Sequence, residues 1–314
     1  KHIDRALVWF DPNLVLQPRL AESWEANEDG SEWTIHLREG TKWSDGTPLT
    51  SADFIWWFEN IAMHEELNPS PPRLTTTGDP PEVMEALAPD DYTIVFKYAH
   101  PRTLFPYQLT RHNREILDPG HYLEQFHADF ADPDELDAKV AESGFNSWTE
   151  LFEAEWYWYN NPARPVVTGA WTAVNELSSE LFLMERNPYF WGVDAEGNQL
   201  PYLDGVQHRL FETNEVLNLW VVGGEIDFQA RHMGIGDFTL FKENEAEGDY
   251  QVFLAVSAGH VAMQPNQTTK EPKLREFFND LNVRKALSLC ANREEMNELI
   301  YKGLLTPRQY SPLP

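Results

Sequence analysis

Residues Leu16–Ala62 read LQPRLAESWEANEDGSEWTIHLREGTKWSDGTPLTSADFIWWFENIA, and this stretch decides the fold. Trp33, Ile35 and Leu37 alternate with Thr34, His36 and Arg38, the period of a strand with one buried face. Asp29-Gly30 supplies the positive-φ turn that precedes it. A second turn, Asp45-Gly46-Thr47-Pro48, leads to Thr50, which has Asp53 three residues on in the spacing of a capping box. Phe54, Phe58 and Ile61 then recur at helical spacing, so a helix is expected over Ser51–His64. The grammar is strand, turn, strand, turn, capped helix.

Outward from this core the chain continues to alternate. Ala6–Arg19 reads as a strand and turn broken at Asp11-Pro12-Asn13. Asn68–Pro81 carries five prolines and is expected as a loop. Tyr92–Tyr98 alternates as a strand, and His121–Glu155 is acidic with a helical rhythm. Asn160-Asn161-Pro162-Ala163-Arg164-Pro165 is the best internal linker. Strands are expected at Val166–Asn175, Leu181–Arg186, Leu203–Phe211, Glu225–Ala230 and Gln251–Val256. Asn214–Val222 reads as a helix closed by Gly223-Gly224. Two short helices follow, capped by Asp280 and by Asn292 with Glu295, the second ending at Gly303.

In this order the elements resemble the bacterial solute-binding proteins of ABC importers, in the family that handles peptides, nickel and oligosaccharides. Further landmarks carry the resemblance along nearly the whole chain. Thr168-Gly169-Ala170-Trp171 is similar to a family strand, with Ala170 where proline is usual, and Glu185-Arg186-Asn187-Pro188-Tyr189-Phe190-Trp191 matches another element closely. Leu203-Asp204-Gly205-Val206, Gly224-Glu225-Ile226-Asp227 and the run Leu281–Leu287 with Asn292–Glu295 follow in the family's order. The resemblance implies an α/β fold of the two-lobed periplasmic-binding-protein type II kind, with an inserted α+β subdomain. Residues 1–20 and 165–258 would form the first-lobe core, 21–164 the insert, and 259–314 the hinge crossing and the start of the second lobe. Against the family pattern the second lobe is incomplete at Pro314, and the strand before Leu7 is missing or shortened.

The bulk numbers set limits. With 314 residues, 42% hydrophobic and 24% charged, the chain can fold two domains. Its net charge of −27 repels nucleic acid and anionic membrane surfaces, so neither is expected as a partner. No apolar run reaches the roughly 18 residues of a membrane span. Lys1 opens the chain without an apolar leader, so an export signal is expected to have been removed or omitted. Cys290 is the single cysteine, which excludes an intrachain disulfide, and its helical alignment with Val283, Ala286 and Leu287 points to a buried thiol.

The resemblance implies a hinged monomer that takes a peptide or short oligosaccharide outside the cytoplasmic membrane, in the periplasm or held at the cell surface by a lipid anchor. It would hand this ligand to ABC permease subunits, making and breaking no bond and needing no cofactor. In open α/β sheets ligands sit beyond the carboxyl ends of strands, so Arg231, His232 and Met233, after Glu225–Ala230, are the candidate cleft wall. The crossing Ser257–Gln264 is the candidate hinge, placing His260 and Gln264 beside the ligand. Among the 12 tryptophans, Trp43, Trp171 and Trp220 are the ones local packing explains least, and they are candidates to stack on a solute. No His-x-x-x-His or His-Glu-x-x-His spacing supports a metal site. His112, His121 and His127 read as a solvated helix face. The alternatives are a nickel-chelate binder and a glycoside hydrolase, whose two acids the abundant carboxylates could supply only by chance placement.

Overall fold

A computed structural model describes residues 7–112, 116–157, 160–166, 169–254 and 262–307. The chain divides into two compact units, Lys1–Leu210 and Phe211–Pro314.

Unit 1 opens with the short antiparallel pair β1 (Val8–Phe10) and β2 (Leu16–Pro18). Its main sheet is antiparallel in the order β3 (Ala21–Ala26), β4 (Glu32–Leu37), β8 (Thr93–Lys97), β7 (Glu85–Asp90). Along β4, Trp33, Ile35 and Leu37 are buried while their neighbours are half exposed, as the alternation requires. Trp24 stands opposite Ile35, and Trp33 opposite Ala26. Gly30 makes the turn with φ +74°.

Helix α1 (Ser51–Trp57) begins with the capping box: the Thr50 hydroxyl accepts from the Ala52 amide, and the Thr50 amide donates to Asp53 Oδ2 at 2.9 Å. Phe54 packs on the sheet through Phe96, with ring centroids 4.8 Å apart, and Phe96 meets Phe105 at 4.7 Å. The expected single helix to His64 instead changes pitch. Phe58–Ala62 forms a π-helical turn, closed by the Met63 amide on the Phe58 carbonyl at 3.0 Å.

The proline-rich stretch is a loop only in part. It holds a 3-10 turn at Arg73–Thr75 and a two-residue hairpin, β5 (Thr76–Thr77) with β6 (Glu82–Val83). Arg102 clamps it, donating to the carbonyls of Leu74 (3.0 Å), Thr76 (2.8 Å) and Arg73 (2.9 Å) while lying 5.0 Å over the Tyr98 ring. Helix α2 (Phe105–His112), which sequence patterning did not signal, supplies Phe105 and Leu109 to the core. The acidic stretch folds into α3 (Gly120–Leu123), a 3-10 turn at Glu124–Phe126, α4 (Pro133–Ser143) and α5 (Trp148–Trp156).

The expected linker is not a free connection. Arg164, Pro165 and Val166 are buried, and Arg164 Nη2 meets Asp118 Oδ1 at 2.6 Å. Ser44 and Val166 exchange two bonds: amide to carbonyl at 2.8 Å, and Val166 amide to Ser44 Oγ at 3.0 Å. Val166 is therefore spent on Ser44, and the strand expected over Val166–Asn175 reduces, among described residues, to β9 (Trp171–Ala173). With β10 (Leu181–Arg186) and β11 (Gly205–Arg209) it forms a three-stranded antiparallel sheet in the order β11-β10-β9.

Unit 2 contains α6 (Asn214–Val222), α7 (Phe238–Glu243), α8 (Glu245–Gly248), α9 (Pro272–Asn279), α10 (Leu281–Leu289) and α11 (Arg293–Tyr301). Asp280 and Asn292 cap α10 and α11 as the sequence implies. Two expectations fail here. Glu225–Ala230 is not a strand, and neither is the described part of Gln251–Val256, residues 251–254. A strand exists only where a neighbour takes its amides and carbonyls. Here the Glu225 amide turns back to the Trp220 carbonyl at 2.8 Å, and the Val252 amide goes to the Glu245 carboxylate at 2.6 Å. Cys290 is exposed, against the buried thiol expected: it sits at the end of α10, a helix that buries none of its residues.

Candidate functional site

In unit 2 the expected cleft wall is an irregular loop seated on a helix. Thr213 caps α6, which buries Leu217 and Val221 against Phe241. Gly223 and Gly224 end the helix, and Gly224 (φ +70°) passes so close to the Gly248 carbonyl that a Cβ would sit 2.6 Å from it. The loop then returns with Ile226 and Met233 packed on the Leu217–Val221–Phe241 cluster, which Trp220 also joins, half-buried. Arg231 and His232 stand exposed between these anchors. Gln229 Nε2 donates to the Arg231 carbonyl, and His232 adopts φ +61°, edge-on to Phe211 at 5.5 Å. A histidine in the left-handed region is uncommon and is held there only by its surroundings. The loop thus brings Arg231, His232, Met233 and Trp220 onto one anchored segment. Arg231 offers a planar fork of donors suited to a carboxylate or to neighbouring hydroxyls.

The other expected residues lie apart from this loop. Trp43 (1% exposed) and Trp171 (7%) are buried in unit 1, Trp43 edge-on to His121 at 6.1 Å and Trp171 in a small cluster with Ala173, Phe182 and Met184. Burial leaves neither ring a face to offer a solute, so both are packing groups. Gln264 is exposed in unit 2. His260 lies outside the described residues, as does most of the Ser257–Gln264 crossing.

Unit 1 has an open cavity of about 560 Å³ that sequence reasoning did not anticipate. Arg38, Glu22, Glu39, Tyr189, Trp191 and Gln199 are among its lining residues. Arg38 donates to the Arg19 carbonyl at 2.6 Å and lies 5.7 Å over the Trp191 ring, while Lys42 lies 5.3 Å over Tyr189. Gln199 pins the Pro188–Trp191 turn through the Pro188 and Phe190 carbonyls. Its sequence signal is the aromatic run Tyr189-Phe190-Trp191, within the element that matches the family pattern.

Among the groups that depart from their ordinary titration are Asp53 and His127. Burial pushes the Asp53 carboxyl up to about 6, against the bond it accepts from the Thr50 amide. Burial also pushes the His127 imidazole down. His127 is fully buried rather than on a solvated face, because α1 and α5 close over it with Trp56, Trp148 and Phe152. His121 pairs with Asp45 at 2.8 Å, and the His112 side chain lies outside what is described.

Comparison with known proteins finds relatives along nearly the whole chain. The sequence model of "Bacterial extracellular solute-binding proteins, family 5 Middle" matches residues 15–314. The chain is 28% identical over 311 residues to the periplasmic alpha-galactoside-binding protein of Rhizobium meliloti, covering 92% of this chain and 40% of that protein. It is 28% identical over 309 residues to the periplasmic oligopeptide-binding protein OppA of Salmonella typhimurium, covering 94% of this chain and 48% of that one. A solved oligopeptide-binding protein OppA superposes with a TM-score of 0.79 at 38% identity, over 98% of this chain and 49% of its own. The chain thus spans about half the length of the curated relatives it matches, and over that half it has the mixed α/β fold of the two-lobed binding proteins.

Proposed function

Because the chain belongs to the bacterial extracellular solute-binding proteins of family 5, we propose that it serves in the substrate-binding component of an ABC importer. In this reading it captures a peptide or short oligosaccharide outside the cytoplasmic membrane, in the periplasm or at the cell surface, and delivers it as a monomer to a permease. It is not an enzyme. The observation that carries the reading is the family match over residues 15–314, joined by the OppA superposition. Relatives named for an alpha-galactoside and for oligopeptides keep both ligand classes in the proposal.

On this reading residues 1–20 and 165–258 belong to the first-lobe core, 21–164 to its insert, and 259–314 to the hinge crossing and the second lobe. The ligand-facing segment is the Arg231–Met233 loop, with Trp220 beside it and Gln264 and His260 at the crossing. Support for the loop is local: Met233 and Ile226 fix it, and Arg231 and His232 remain accessible with His232 in a strained conformation.

Titration of the chain with a short-peptide library and with galactoside oligosaccharides, product formation being followed in parallel, tests the proposal. Saturable binding by one class, with a thermal shift that grows by mass action and no turnover, is expected. Turnover, or an absence of binding by both classes, would overturn it.

A further inference from the structure

The π-helical turn after α1 delivers His64 beside His127, whose partners come from a different part of unit 1. The two imidazoles meet edge-to-face with centroids 4.8 Å apart, and Asp129 joins them with its Oδ2 3.4 Å from His64 Nε2. One ligand atom from each of the three residues lies within 4.8 Å of the others. We propose that His64, His127 and Asp129 form a binding site for a divalent transition cation, of the class that imidazole and carboxylate ligands favour: zinc, nickel or copper.

Four observations carry this. The first is spacing. Two ligands each about 2.0 Å from a tetrahedral cation stand about 3.3 Å apart, close to the separation of His64 Nε2 and Asp129 Oδ2. The second is tautomer. His127 Nε2 lies 3.0 Å from the Asn60 carbonyl, which can only accept, so Nε2 carries the proton and Nδ1 carries the lone pair. A ligating histidine that donates its other N–H to a backbone carbonyl is the usual supporting arrangement. Among the described residues Nδ1 is engaged only by the Asp129 amide, at a long 3.2 Å, and this is the bond a cation would replace. The third is availability. The contact between His64 Nε2 and Asp129 Oδ2, at 3.4 Å, is long for a hydrogen bond, so a cation taken up between the two atoms displaces little.

The fourth is the setting. Trp148 lies 5.4 Å from His64 and 5.1 Å from His127, and Phe130 and Phe152 close the far side of His127. That apolar wall excludes water behind the ligands, while the Asp129 side chain, 63% exposed, leaves a way in from solvent. Bound there, a cation would clip the end of the Ser51–Ala62 helical segment to the turn after Phe126. Because 62 residues separate the two histidines, no sequence motif announces the site.

The test is calorimetric titration of the EDTA-stripped chain with Zn²⁺ and with Ni²⁺, alongside His64→Gln, Asp129→Asn and, as a control, His100→Gln. His100 sits in another histidine–carboxylate pair, 3.4 Å from Glu82. Expected are one cation per chain, affinity at least tenfold weaker in H64Q and in D129N, unchanged affinity in H100Q, and a metal-dependent rise in melting temperature that both site variants lose. Circular dichroism of H64Q and D129N matching the parent shows that the loss is not unfolding. No saturable binding of either cation overturns the proposal. So does binding that H64Q and D129N leave intact, since the cation is then held elsewhere.

Discussion

Arg164 and Asp118 meet inside unit 1 through an Nη2···Oδ1 contact of 2.6 Å, with only 2% and 1% of their side chains exposed. Forty-six positions separate them in sequence, and the pair anchors the segment that otherwise looks like a linker. Arg164 also donates to the Pro165 carbonyl at 3.0 Å.

Removing one partner of such a pair strands the other charge in a low-dielectric interior. Arg164→Met is therefore expected to destabilise unit 1 by about 3–5 kcal/mol. The double variant Arg164→Met with Asp118→Asn should recover much of that loss, because no charge is then left uncompensated. Denaturant unfolding of the parent and the two variants measures the difference.

Asp53 gives a pH signature of opposite sign to most carboxylates. Its folded value is about 6, above the unfolded 3.8, so the native state binds the extra proton between those limits. The stability this group contributes is fully present below pH 3.8 and is lost as pH rises through 6. Asp53→Asn keeps an acceptor for the Thr50 amide and has no charge to desolvate. Its stability relative to the parent is expected to rise by the order of 2 kcal/mol between pH 4 and pH 7. Paired melting curves across that range would refute this if their separation stays constant.

Arg102 uses its planar fork on three carbonyls of the proline-rich loop and on Gln108. Lysine has the charge but cannot span that set. Arg102→Lys is expected to cost about 1–3 kcal/mol and to raise amide exchange around Leu74–Thr77 selectively. Uniform exchange across unit 1 would contradict the clamp.

Arg231 is exposed, and the loop that carries it is anchored by Ile226 and Met233. On the proposed function, Arg231→Ala should leave the melting temperature of the ligand-free chain unchanged within about 1 °C, in line with the small effects of surface substitutions. Ligand affinity should fall by about tenfold or more, as expected for loss of a charge-assisted contact. Equal affinity in the variant would move the ligand away from this loop.

What was legible in the sequence was local. The Asp29-Gly30 turn, the Trp33–Ile35–Leu37 alternation and the Thr50–Asp53 box each need only a few neighbouring residues, and all three are present as read. Glu225–Ala230 misled because apolar alternation states a preference, whereas a strand needs a partner that local sequence cannot name. His127 misled for a related reason. It stands in an acidic stretch, the composition of a solvated face, and its burial comes from Trp56 and Trp148, set by other helices. The candidate loop was placed by the rule that ligands sit beyond strand ends, and the strand it relied on, Glu225–Ala230, is not formed, so the loop now rests on its anchoring by Ile226 and Met233. The cavity beside Trp191 and the His64–His127–Asp129 cluster were not found, since each joins segments far apart in the chain.

The Ser44–Val166 exchange has a consequence for how the chain comes to be folded. Its two bonds close a loop of 122 positions, running from the opening signature to the end of the buried segment. Contacts of such range are made late, because the entropy of bringing their ends together is spent before any of their energy is returned. A chain emerging from the ribosome can form the β3–β4 hairpin and α1 once residues 21–57 are available. It cannot seal them until residue 166 is available. This seam of unit 1 therefore stays open through the synthesis of more than a hundred residues, and the two bonds that close it wait for residue 166.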